Sequence, residues 1–159
     1  MEARLNLMKV APKGAYQAMA ALQQYVDSCG LGHGLLQLIE IRASQINGCA
    51  YCIDMHTKDA CALGESEQRI YLLDAWRESP FYTDRERAAL EWTEALTLIT
   101  EGRVPDEVYA SVEKQFSPEE LVNLSLAITT INTWNRLCIS FRSVPGEYQS
   151  HLKPLKASA

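Results

Sequence analysis

The sequence predicts an all-α fold of six or seven helices. Three observations carry the prediction. No segment alternates apolar and polar residues with a period of two. Gly and Pro are scarce and fall between periodic segments, where they act as punctuation. Two segments open with capping boxes, Thr83-Asp-Arg-Glu86 and Ser117-Pro-Glu-Glu120, the second with Pro at the first helical position. β-branched residues cluster only at 127–133, inside the second of these capped patterns.

Pro12 and Gly14 precede a run rich in Ala, Gln, Met and Leu that is expected to be helical to about Asp27, before Gly30, Gly32 and Gly34 break it. A second helix is expected over 35–46, interrupted by Asn47-Gly48. Asn47 is expected to cap a third helix that runs to about Leu63 and stops at Gly64. Ser66 can cap a fourth helix ending before Pro80, and Thr83 opens a fifth that reaches about Thr100. Gly102 and Pro105 set off a short sixth, and Ser117 opens the longest, to about Phe141. The tail after about residue 145 is expected to be loose. Residues 1–159 are read as one domain whose chemistry lies at about 35–64.

With 159 residues, 47 % hydrophobic and 22 % charged, the chain has the balance of an ordinary globule. At that length one core buries roughly 70 % of the surface without staples. A net charge of −5 and no run of Lys or Arg argue against nucleic-acid binding. The N-terminus, broken by Glu2, Arg4, Lys9 and Lys13, lacks the apolar core of an export signal. The uncharged stretch at 121–135 is short of the ~20 residues that span a bilayer. The expectation is a cytoplasmic protein with no membrane partner. Five cysteines, an odd count without an export signal, argue for redox or metal use over a disulfide framework.

The chemistry concentrates in Cys49-Ala-Tyr-Cys52-Ile-Asp-Met-His56. Residues at i, i+3 and i+7 share one helix face, and Cys52 and His56 are near neighbours on it. Near a helix start, unpaired N–H groups and the dipole favour a thiolate, the reactive form of cysteine. His56 can accept the proton of Cys52 or pair with its thiolate. Two sulfurs three residues apart can close a disulfide with little backbone movement. That is the pattern of a dithiol centre, in which one thiolate attacks and the second cysteine resolves the product.

Zinc is the sharper rival. Cys49, Cys52, His56 and Cys61 stand one residue short of a zinc-knuckle spacing. On a continuous helix, however, Cys61 lies roughly 120° around the axis from Cys49, so one face cannot supply four tetrahedral ligands. No metal is expected. Covalent haem needs His directly after the second Cys, where this chain has Ile53. No thioredoxin fold is possible, since no strand precedes the pair, and no Gly-rich phosphate loop implies a nucleotide.

The run from Glu40 through Cys49 and Cys52 to His56, with Ala60 and Gly64 after it, resembles the core of the alkylhydroperoxidase-D-like (AhpD-like) proteins of the carboxymuconolactone decarboxylase superfamily. Ile131-Asn-Thr-Trp-Asn-Arg136 resembles a late helical signature of the same group. The resemblance spans about residues 35–142. It implies an AhpD-like helical bundle, assembly as a homotrimer or homohexamer, and reduction of hydroperoxides by a Cys pair. An external dithiol such as a lipoyl group recycles the pair, and no resident cofactor is implied. Carried onto this chain, Cys52 is the peroxidatic thiol, Cys49 the resolving and recycling thiol, and His56 part of a proton relay. Local physics leaves the order of the two open: the helix dipole favours Cys49 as the low-pKa thiol, and proximity to His56 favours Cys52.

One position departs from the family. Its relay usually includes a Glu twelve residues before the first Cys, where this chain has Gln37. Gln cannot take a proton at neutral pH, so it can orient a water but cannot act as a general base. Glu40, one turn later on nearly the same face and followed there by Ser44, can take over part of the role; it can equally pair with Arg42 at the surface. Tyr51 is a hydroxyl donor or a packing aromatic. His33 and His151 read as solvated or structural, and Cys29, Cys61 and Cys138 as packing or incidental. Trp134, Asn132 and Arg136 read as core or interface, with the border of the dithiol pocket as the second reading.

The leading expectation is a thiol-dependent hydroperoxide reductase acting through Cys49, Cys52, His56, Glu40 and Gln37. Its partners are a hydroperoxide or disulfide substrate and a dithiol reductant protein. The alternatives are a carboxymuconolactone decarboxylase-type enzyme and a non-catalytic thiol redox sensor or binding module.

Overall fold

The computed structural model describes residues 2–153. Among these the fold is all-α: nine α-helices, one 3-10 turn and no strand. The helices are α1 (Leu7–Val10), α2 (Lys13–Ser28), α3 (His33–Asn47), α4 (Ala50–Leu63), α5 (Glu67–Tyr71), α6 (Asp84–Thr97), α7 (Ile99–Gly102), α8 (Asp106–Val112) and α9 (Pro118–Phe141). The excess over six or seven comes from short pieces. Asn6 caps the single turn of α1 by accepting from the Lys9 N–H. The expected fifth helix ends at Thr97, and α7 follows as a separate turn. The expected fourth helix ends at Tyr71 and gives way to a 3-10 turn at Leu73–Ala75. The tighter winding stacks residues three apart, and Leu73 and Trp76 are both buried in one apolar cluster.

Both capping boxes form. The Thr83 and Ser117 hydroxyls accept from the Glu86 and Glu120 N–H groups, and each Glu reaches back to its cap's own N–H. Asn47 does not cap α4. It is the last residue of α3, Gly48 follows with φ 71° as the left-handed C-cap, and Cys49 is the N-cap of α4. Only glycine takes that left-handed turn without strain. The corner therefore spends two residues, Gly48 and Cys49, between the two helices.

The central helix is α3, which packs against α4, α6 and α9. Leu36, Leu38, Ile39, Ile41 and Ala43 are all 2 % exposed or less, so the helix is apolar on nearly every side and has no solvent face in its middle. Leu36 and Ile39 join one apolar cluster with Trp92, Leu124 and Ile128. Leu38 and Ile41 join a second with Leu73, Trp76 and Leu90. Ala43 joins a third with Cys49, Cys52, Ile131 and Cys138.

A buried polar chain fixes the α3–α4 corner against α9. The Asn47 amide donates to Asn132 Oδ1 (3.0 Å) and Asn135 Oδ1 (2.8 Å). Asn135 donates to Ser44 Oγ (3.0 Å), which donates to the Glu40 carbonyl (2.7 Å). Asn135 is fully buried. Asn135→Ala leaves Asn47 and Ser44 each short of a partner, and is expected to lower unfolding free energy by about 1–3 kcal/mol in a denaturant titration. A change within a few tenths of zero would remove this chain from the account of the corner.

The expected loose tail carries no helix among the described residues, yet as far as Tyr148 it is tied down. Lys58 Nζ donates to the carbonyls of Gly146 (3.3 Å) and Tyr148 (3.1 Å), and the Gly146 N–H donates to Asp54 (2.9 Å). Residues from 154 onward lie outside the described part. Among the described residues no helix is long and apolar enough to cross a membrane.

Candidate active site

Cys49 and Cys52 form a disulfide, with Cα atoms 5.4 Å apart. Cys49, as N-cap, accepts through Sγ from the Cys52 N–H at 3.4 Å. Its sulfur stands where a helix N-terminus favours negative charge, so the reduced Cys49 is the thiol that the dipole helps to ionise. Both cysteines are 2 % exposed or less.

A cavity of about 790 Å³ opens over the pair. Cys52, Met55, His56 and Asp59 line it from α4, and Gln37 and Glu40 from α3. Cys49 is not part of its wall, so the two cysteines differ in access: Cys52 faces the space a small molecule would enter, and Cys49 stands behind it. Leu5, Met8 and Val144 add apolar surface from the chain's two ends.

Gln37, Glu40 and His56 are brought together, all buried. His56 Nδ1 is 3.0 Å from Gln37 Oε1 and 3.3 Å from Glu40 Oε2. Gln37 Nε2 donates to Glu40 Oε2 at 3.1 Å. Because the Gln37 amide spends its N–H on Glu40, it turns its oxygen to His56. That oxygen only accepts, so Nδ1 carries the imidazole proton and Nε2 is left as the free base. Gln37 thus bridges His56 and Glu40. The alternative of a surface pair for Glu40 is overturned: Arg42 pairs with Asp74 and Glu94 instead.

Burial sets the protonation states. It pushes the Glu40 carboxyl up from 4.5 to about 8, reinforced by Asp27 and Asp59 and opposed by the Gln23 hydrogen bond and His33. It pushes His56 down from 6.5 to about 4, against the pull of Asp59 and Asp27. At pH 7 both groups are neutral, so their contact is a hydrogen-bonded one without an ion pair. The site holds a base, His56, beside a protonated acid, Glu40.

Three further residues complete the surroundings, none singled out from the sequence. Gln23 on α2 donates to Glu40 Oε1 (3.3 Å) and accepts from Trp134 Nε1 (3.0 Å), joining α9 to the acid. Tyr148 in the tail donates to both oxygens of Asp59 (2.9 and 3.1 Å). Burial and that carboxylate push Tyr148 up to about 12, so it stays a donor. Asp59 had a legible signal: it lies seven residues after Cys52 and three after His56, on their helix face. Gln23 and Tyr148 had none, since both arrive from distant segments.

The remaining candidates separate. Tyr51 lines the cavity and packs against the Cys cluster, where burial raises its pKa. Trp134, His33 and His151 line the cavity, whereas Asn132 and Arg136 belong to the polar chain at the α3–α4 corner. Cys29 packs against the first apolar cluster, and Cys61 is exposed. Cys138 is buried beside the disulfide: the sulfurs of Cys49, Cys52 and Cys138 lie within 4.8 Å of one another. Among the described residues this trio, not a set including Cys61, is the group spaced to hold a metal, and in the disulfide form it offers one thiol.

Comparison with known proteins identifies the family and the fold. Residues 13–95 match the sequence pattern of the carboxymuconolactone decarboxylase family. The chain is 46 % identical over 140 residues to the uncharacterized protein YdfG of Bacillus subtilis (strain 168), covering 88 % of this chain and 95 % of that one. Its fold is similar to the crystal structure of a protein of unknown function from Agrobacterium tumefaciens, provisionally described as the antioxidant defence protein AhpD. There the TM-score is 0.88 at 47 % identity, over 92 % of this chain and 100 % of that one. The debrominase Bmp8 shares the fold alone, with a TM-score of 0.72 at 20 % identity over 82 % of this chain and 70 % of its own. With its matching sequence pattern, all-α fold and Cys-x-x-Cys pair, the chain belongs to the carboxymuconolactone decarboxylase family as an AhpD-like member.

Proposed function

We propose that the chain is a thiol-dependent hydroperoxide reductase recycled by an external dithiol, of which a lipoyl group is one. The observation that carries the reading is the placing of Cys52. It is bonded to Cys49 on one side and opens on the other to the cavity that holds the buried His56–Gln37–Glu40 network.

The proposed roles are these. In the reduced pair, His56 Nε2 is the base available to take the Cys52 proton. The Cys52 thiolate attacks the terminal oxygen of a hydroperoxide, the O–O bond breaks, and the alcohol leaves with a proton. Cys52 is then a sulfenic acid. Cys49 attacks its sulfur, water leaves, and the Cys49–Cys52 disulfide closes. A dithiol reductant opens that bond by thiol–disulfide exchange, leaving two thiols and an oxidised reductant. The apolar walls from Leu5, Met8 and Val144 favour an organic hydroperoxide over hydrogen peroxide. Assembly as a homotrimer or homohexamer belongs to the same proposal.

The test is a free-thiol count on the reduced protein before and after one equivalent of cumene hydroperoxide, with peptide mapping. Loss of two thiols as the Cys49–Cys52 disulfide, with one equivalent of alcohol formed, is the expected result. No loss of thiols would end the reading.

A further inference from the structure

The third thiol of the cluster remains unused by that mechanism. Cys138 comes from α9, far from the pair in sequence, yet its sulfur lies within 4.8 Å of both others. It is 8 % exposed and, like Cys52 and unlike Cys49, it lines the cavity. A gap of that size is on the scale that a change of χ1 rotamer closes, moving a sulfur without moving the backbone.

We propose that Cys138 is a third redox thiol of this centre, exchanging with the Cys49–Cys52 disulfide to give a Cys52–Cys138 disulfide and a free Cys49. The inference rests on the Cys pair being redox-active, as proposed above, but not on a hydroperoxide being the oxidant. Cys138 gives its proton to water in the cavity, and its thiolate attacks Cys52 Sγ. The S–S bond between Cys52 and Cys138 forms as the bond between Cys49 and Cys52 breaks. Cys49 leaves with the electron pair as a thiolate. No oxidant or reductant is consumed.

The direction of attack follows from the two ends of the exchange. A thiol of lower pKa leaves faster, and Cys49 is the N-cap of α4 with the Cys52 N–H directed at its sulfur. A thiol of higher pKa is the stronger nucleophile once ionised, and burial holds Cys138 above its ordinary value. The same burial keeps its thiolate fraction small, so the exchange follows closure of the first disulfide and does not compete with it. The outcome frees the cysteine at the helix N-terminus and leaves the disulfide on the cavity wall, where a dithiol entering the cavity meets it.

The test uses Cys49→Ser, reduced and then treated in separate samples with diamide and with cumene hydroperoxide. The samples are quenched in acid, denatured, alkylated and mapped without reductant. The chain has five cysteines, so the variant starts with four thiols. The expected product with either oxidant is a Cys52–Cys138 disulfide, with a fall to two thiols. Formation with diamide but not with hydroperoxide would support the exchange and count against the reductase reading. Four thiols persisting after diamide, while the wild type loses two, would overturn the proposal. So would pairing of Cys52 with Cys29 or Cys61. A second measurement covers the case in which Cys49→Ser fails to fold. In the oxidised wild type a fraction of Cys49 is expected to be alkylated, and Cys138→Ala is expected to abolish that fraction. Equal labelling in the two proteins would overturn the proposal.

Discussion

If the chain reduces hydroperoxides as proposed, Cys52→Ser is expected to lower hydroperoxide consumption in the presence of a dithiol to the rate without protein, a loss on the order of 10³-fold or more. A serine hydroxyl stays protonated beside a neutral imidazole, and burial raises the pKa of Cys138, the other thiol on the cavity wall, so no ready nucleophile replaces Cys52. Cys49, 1 % exposed and outside the cavity wall, cannot substitute from where it stands. The measurement is alcohol formation from cumene hydroperoxide with excess dihydrolipoamide, corrected for the uncatalysed reaction. Near-unchanged consumption in Cys52→Ser would take the thiol out of the chemistry.

The second large effect is on stability, and Glu40 causes it. Burial raises this carboxyl from 4.5 to about 8, so the folded chain holds the proton more tightly than the unfolded one. The stabilisation this gives is complete below pH 4.5 and is lost as pH rises through 8. His56 has the opposite sign. Its pKa falls from 6.5 to about 4, so its contribution is complete above pH 6.5 and is lost as pH falls through 4. Between pH 6.5 and 8, then, Glu40 alone of the pair changes stability. Glu40→Gln keeps an acceptor for the Gln37 amide and removes the titration. From pH 6.5 to 8 the wild type is expected to lose about 1–2 kcal/mol more unfolding free energy than the variant. Denaturant titrations at the two pH values read this directly. Parallel losses would mean that Glu40 is already ionised at pH 6.5 and paired with a protonated His56.

Local signals in the sequence were reliable wherever the structure obeys them locally. The capping boxes at Thr83 and Ser117, the stop at Gly64 and the shared face of Cys52 and His56 depend on residues within one or two turns. Asn47 misled because its side chain is drawn away by two asparagines on α9, leaving the cap of α4 to a cysteine, a residue outside the usual capping set. The break after Tyr71 was hidden because Leu73 and Trp76 fit a helical period as well as a 3-10 one. The role of Gln37 was half legible. Its inability to act as a base follows from its chemistry, but its bridging between Glu40 and His56 needs the relative rotation of α3 and α4. Gln23, Tyr148 and Cys138 reach the site from α2, the tail and α9, and no spacing rule connects segments so far apart.

The helix that carries Gln37 and Glu40 contributes to all three apolar clusters and has no free flank. Its amides can therefore exchange with deuterium only when much of the molecule comes apart, unlike those of α1 or the tail. The acid and the bridging amide are therefore expected to sit on slowly exchanging backbone, and the segments 3–8 and 143–152 that wall the cavity on faster backbone. On the proposed function, such a division would admit a bulky reductant at the entrance while Gln37 and Glu40 keep their register.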